Sequence, residues 1–185
     1  MNINMDKNTF DSLTEICRNF PIEKSGIMNT EVDYEDIYIM GFQFDDSDMI
    51  KNATPASIRY DRLDYLCDGV HRISFTDSPV FIRFHTHPGS GLPGLSKADT
   101  EALKYLQGLT TKVYKSNSNN GNLVIEGIIT SSEIAFYTYD LDSDKSVRLP
   151  FFVDGVERIP SIEQSVLQRF MNAFGKGYQR GMRKK

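Results

Sequence analysis

The apolar run Val80-Phe81-Ile82-Arg83-Phe84 leads directly into His85-Thr86-His87-Pro88, and Ser96-Lys97-Ala98-Asp99 follows after a Gly/Pro-rich interval. This stretch restricts the fold more than any other. A run rich in β-branched and aromatic residues reads as a strand. Residues two apart on a strand face the same side, so His85 and His87 converge while Thr86 points away. Pro88 ends the strand and residues 89–94 form a loop. Ser96 then opens a helix running through Leu103 and Leu106, with Asp99 in its first turn, able to point back at the histidines. Two imidazoles and a carboxylate around an open position are the ligand set of a catalytic zinc site. Taken singly, the parts also have plainer readings. Ser96-x-x-Asp99 can be a helix N-cap with an acid in the first turn, and His-x-His can be a structural metal clip or a polar strand end.

A chain of 185 residues suits one domain with a sizeable core and a terminal appendage. Its net charge of −4 gives no general reason to expect nucleic acid as a partner. No apolar run approaches the length of a membrane span, and Met1-Asn2-Ile3-Asn4 does not begin a signal peptide. Cys17 and Cys67 make no disulfide framework and no Cys-x-x-Cys pair. Both are expected to be buried thiols in a reducing cytoplasm.

Phe10, Leu13, Ile16 and Cys17 recur at helical spacing, which predicts an amphipathic helix from about Thr9 to Phe20, stopped by Pro21. Gly26 begins an extended segment, and Asp36 to Phe44 reads as a strand. Asp45 to Asp48 is a polar loop and Ser57 to Tyr60 a short strand. Leu63, Leu66, Cys67 and Val70 predict a second helix ending near Ser74, which carries His71. After the Ser96 helix and a polar loop over Lys115 to Asn122, strands are expected over Leu123–Ile129 and Glu133–Tyr139. Helices alternating with strands indicate an α+β or α/β domain over residues 1–140. Residues 141–185 form an extension, irregular at first and helical from about Ser161. Its tail from Leu167 onward is basic and contains no acid, and it is expected to be a solvated terminus.

Upstream, Pro21-Ile22-Glu23-Lys24-Ser25-Gly26 puts Glu23 where the first helix gives way to a strand. Alone, such a glutamate is most often a surface charge. Together, Glu23 with its Glu-x-x-Gly context, His85-x-His87-Pro88 and Ser96-x-x-Asp99 resemble the JAMM (MPN+, JAB) metalloprotease motif. The resemblance spans about Thr9 to Asp140, and Asn52-Ala53 before the strand at Ile58 also fits the pattern. One spacing departs from it. Pro88 to Leu95 is one residue longer than the family's usual interval, an insertion that falls in the Gly/Pro loop.

The resemblance implies an α/β/α-like sandwich, with a cytidine-deaminase-like mixed sheet flanked by helices. It implies that His85, His87 and Asp99 bind one catalytic zinc ion, with water as the fourth ligand. Glu23 would be the general acid–base and Ser96 would donate a hydrogen bond to the oxyanion. The activity implied is metallo-(iso)peptidase cleavage after the C-terminal glycine of a ubiquitin-like protein. A chain this short looks like the stand-alone bacterial members, which accompany E1- or E2-like conjugation enzymes in antiphage operons or process sulfur-carrier proteins. A non-catalytic MPN scaffold and a RadC-like DNA-associated protein are the other readings. The first generally lacks the metal ligands, and the second shares the His-x-His-Pro and Asp pattern, with slight added support from the basic tail.

Overall fold

The computed structural model describes residues 1–45, 50–54, 57–60, 80–88, 92–114 and 123–159. Outside these lie the expected helix over residues 63–74 with Cys67 and His71, most of the loop at 45–48, and the loops at 89–91 and 115–122. The helix after Ser161 and the basic tail lie outside them too. The described residues form a mixed α+β fold with two helices, α1 (Lys7–Asn19) and α2 (Lys97–Tyr114). Nine strands build the main sheet: β1 (Asn2–Met5), β2 (Ser25–Asp33), β3 (Asp36–Phe44), β6 (Val80–Thr86), β7 (Leu123–Ile129), β8 (Ile134–Asp140), β9 (Lys145–Leu149), β10 (Phe151–Val153) and β11 (Val156–Glu157). Their order is β11-β10-β1-β3-β2-β6-β7-β8-β9, while β4 (Ile50–Thr54) and β5 (Ser57–Tyr60) form a separate antiparallel pair.

Helix α1 starts two residues earlier than its apolar spacing suggests because Asp6 caps it, accepting a hydrogen bond from the Thr9 amide at 3.0 Å. Its apolar stripe, Phe10, Leu13 and Cys17, packs on Ile3, Met5, Ile82, Phe84, Ile125 and Phe136. Leu103 and Leu106 of α2 pack instead with Val124 and Tyr139, flanked by Phe81. Neighbouring residues on β6 and β7 thus alternate between the two clusters, as the two-residue strand period requires. Strands β6 and β7 are parallel and joined through α2, a β-α-β unit whose inner strands are buried on both faces.

Two parts of the sheet were not expected from the sequence. Strand β1 lies parallel to both β3 and β10. The stretch after residue 140, expected to be irregular, instead forms β9, β10 and β11, so the sheet continues to Glu157. The physical reason is again alternation: Phe151 and Val153 are buried in the α1-side core. Among the described residues no helix is long and apolar enough to cross a membrane.

Gly26 is set by close packing. A Cβ there would lie 2.1 Å from the carbonyl oxygen of Gln43 and 2.7 Å from the ring of Phe84. Phe84 is also held edge-on by Phe42 and Phe44, so its ring has little room to yield. Gly26→Ala is therefore expected to cost about 1–3 kcal/mol or more. For a chain of this size that is about 2–4 °C of Tm per kcal/mol, readable by calorimetry. A melting temperature equal to wild type would contradict the packing described.

Candidate metal centre

The site forms where the C-terminal end of β6 meets the N-terminus of α2. Arg83, His85 and Glu126 share strand parity with Phe81 and Val124 and so face α2, whereas Ile82, Phe84 and Ile125 face α1. His87 lies just beyond β6, but its amide still donates to the Ile129 carbonyl at 2.7 Å. The alternation therefore carries on, and the two imidazoles converge. Glu23 arrives from the segment between α1 and β2. That segment is clamped by Thr86, whose amide donates to the Lys24 carbonyl and whose hydroxyl accepts from the Lys24 amide, each at 2.8 Å. Thr86, the residue pointing away from the site, thus fixes the backbone that carries Glu23.

The five residues singled out in the sequence are brought to this one place. His85 Nε2 lies 2.9 Å from His87 Nε2 and 3.4 Å from Asp99 Oδ1. His87 Nε2 is 3.9 Å from Asp99 Oδ2 and 3.9 Å from Glu23 Oε1. Ligand atoms of His85, His87 and Asp99 all fall within 4.8 Å of one another, a group that could hold a metal ion. In a tetrahedral zinc shell with bonds of about 2.0–2.1 Å, neighbouring donors stand about 3.3 Å apart. The observed separations bracket that value, and two imidazole nitrogens face each other at a distance that needs a proton or a cation between them. The donor set fits a zinc ion.

Ser96 and Asp99 also form a reciprocal cap. The Asp99 amide donates to Ser96 Oγ at 3.2 Å, and the Ser96 amide donates to Asp99 Oδ2 at 2.8 Å. The plain structural reading of this pair and the ligand reading therefore coexist. The cap holds the Asp99 carboxylate so that Oδ1 faces His85. Because Ser96 Oγ accepts in the cap, its own O–H is left to donate elsewhere.

Charge is arranged unevenly. Burial disfavours an imidazolium at His85, yet hydrogen bonds to Asp99 and Glu126 override it and push the group up to about 9. Burial, with the adjacent charge of His85, holds His87 below the usual histidine value. For Asp99 burial works against ionisation, but the hydrogen bond and charge of His85 keep the carboxyl well below the usual range. A negative surround that retains a proton on His85 also favours a bound cation. Glu23, only 4% exposed, is pushed up to about 7 by burial, with His85 opposing the rise and Asp99 adding to it.

Sequence reasoning missed Glu126 and Arg83. Both are buried, and they are register partners on β6 and β7. Glu126 Oε1 lies 2.7 Å from His85 Nδ1, and Oε2 lies 3.2 Å from Arg83 Nε. The available signal was a lone acid within Leu-Val-Ile-Glu-Gly-Ile-Ile and a lone base within Val-Phe-Ile-Arg-Phe. Two further acids could in principle take the place of Asp99: Glu101 is exposed and pairs with Lys97, and Asp77 lies outside the described residues. Cys17 is buried, as expected, with its thiol against the Ile129 carbonyl at 3.4 Å.

No protein-family model matches the chain, and no curated protein matches it. Among solved structures, the chain is similar to protein DSY2949 from Desulfitobacterium hafniense, with a TM-score of 0.48 and 15% identity over 82% of this chain and 92% of that one.

Proposed function

We propose that this chain is a zinc-dependent metallo-(iso)peptidase of the JAMM type, built on an α/β/α-like MPN domain, that cleaves after the C-terminal glycine of a ubiquitin-like protein. The observation that carries the reading is the convergence of His85, His87 and Asp99 beside a buried Glu23. His85, His87 and Asp99 would hold the zinc. Bound there, the ion would polarise the scissile carbonyl and lower the pKa of water from about 15.7 toward about 7. Glu23, held near neutrality by burial, takes a proton from the attacking water and returns it to the departing amine. The Ser96 hydroxyl donates to the oxyanion that develops on the scissile carbonyl. No covalent acyl-enzyme is needed, which agrees with a Cys17 thiol whose pKa burial raises. The complete ligand group supports an enzyme over a non-catalytic scaffold. The pathway proposed is a cytoplasmic, bacterial ubiquitin-like conjugation system, with E1- or E2-like enzymes as partners, or else sulfur-carrier processing.

The test is to load the protein with zinc and incubate it with ubiquitin-like proteins fused through their C-terminal glycine to a reporter. Mass spectrometry should find a product ending at that glycine, formed only in the absence of chelator. A protein that takes up no zinc when it is supplied would sink the proposal. Ser96→Ala is expected to slow cleavage about 10²–10³-fold at full zinc loading. Its cap loss, about 1 kcal/mol, should appear separately in thermal unfolding. A variant that loses stability but keeps its rate would show that Ser96 only caps the helix.

A further inference from the structure

Behind the metal centre lies a buried ion pair that the proposed chemistry does not use. Glu126 is 3% exposed and sits in the apolar strand β7. Desolvating a carboxylate at that depth is unfavourable unless both oxygens are partnered. Here Oε2 faces Arg83 Nε at 3.2 Å and Oε1 faces His85 Nδ1 at 2.7 Å. Arg83 and His85 are two residues apart on β6, and Arg83 is the register partner of Glu126. Strand geometry alone therefore lines up guanidinium, carboxylate and imidazole.

We propose that Glu126, anchored by Arg83, is a positioning residue that fixes His85 as its Nδ1–H tautomer and aims Nε2 at the metal. The inference rests on the metal-site reading above. A carboxylate facing a guanidinium accepts hydrogen bonds and cannot donate them, so the proton between Glu126 and His85 belongs to Nδ1. The lone pair of neutral His85 then lies on Nε2, the atom 2.9 Å from His87 Nε2 and 3.4 Å from Asp99 Oδ1. An acceptor on the far side of a ligating imidazole orients the ring and raises its basicity, and losing it typically weakens metal binding about 10–100-fold. Glutamine at 126 cannot replace the carboxylate. Its single carbonyl oxygen can serve His85 or Arg83, and its NH2 then confronts the other donor.

The experiment measures zinc affinity by competition with a chromophoric chelator for the wild type, Glu126→Gln and the double variant Arg83→Met/Glu126→Met, which leaves His85 Nδ1 no acceptor at position 126. The double variant replaces the buried charge pair by apolar side chains and so guards against simple misfolding. Both variants should bind zinc about 10–100-fold more weakly. In zinc-loaded protein with 15N-labelled histidine, the wild type should show a slowly exchanging, downfield Nδ1 proton on His85. That signal should exchange faster or vanish in the variants, which a merely structural ion pair would not cause. A folded double variant with wild-type affinity, or a wild type without the protected proton, overturns the positioning role and leaves the metal site standing. A wild type that binds no zinc overturns both.

Discussion

Asp99→Ala is expected to abolish both zinc retention and activity, with zinc falling from about one ion per chain to a trace after dialysis. The substitution removes the only anionic member of the ligand group His85, His87 and Asp99. It also leaves the Ser96 amide without its acceptor at the start of α2, so some loss of stability should accompany the loss of metal. His87→Ala separates the two effects. It deletes a ligand and leaves the Ser96–Asp99 cap intact, so it should lose zinc while keeping more of the helix-end stability. Elemental analysis alongside calorimetry reads both quantities. Full zinc occupancy in either variant would mean that the ion sits elsewhere.

Glu23→Gln should behave in the opposite way, with zinc retained and turnover slowed by about 10²–10⁴-fold. Glutamine keeps the shape and leaves the ligand group untouched, but it cannot accept and return a proton. The pH profile adds a second readout. A glutamate pushed up to about 7 must lose its proton before it can act as a base, so wild-type activity falls as pH drops through that region. A bound cation nearby lowers the group's pKa and moves the limb to more acid pH. The limb should disappear in Glu23→Gln. Retention of the full rate in this variant would mean that another group moves the proton.

The parts of the fold readable in advance were those whose pattern is local. Asp36–Phe44, Ser57–Tyr60 and Leu123–Ile129 are strands within the bounds their composition suggested, and α1 differs only at its capped start and its end. The metal group was legible because three ligands, two histidines and an aspartate, fall on a strand end and a helix start close together in the chain. Glu23 was legible only through the motif resemblance, since nothing local separates it from a surface glutamate. Glu126 was not legible as a neighbour of His85. Their contact depends on β6 and β7 pairing in a particular register across an intervening helix. Strands β1 and β9 to β11 escaped notice because little apolar alternation marks them in the sequence, β9 and β11 being largely exposed. Asn2-Ile3-Asn4-Met5 has the alternation of a strand but only four residues to display it.

Strand β1 has a consequence for the order in which the molecule assembles. It lies between β3 and β10, and among the described residues β10 has no other neighbour in the sheet except β11. Phe151 thus finds its place opposite Ile3, a residue far away in sequence. Loop-closure entropy grows by about 0.6 kcal/mol for each doubling of the loop, and contacts this remote in sequence slow folding. During synthesis, β1 must wait for nearly all of the described chain before its second edge is covered. The residues of the metal centre, from Glu23 to Glu126, belong to elements that pair with one another without that closure. Assembly of the ligand group and completion of the sheet are therefore separable events, with the sheet's outer end expected to close last.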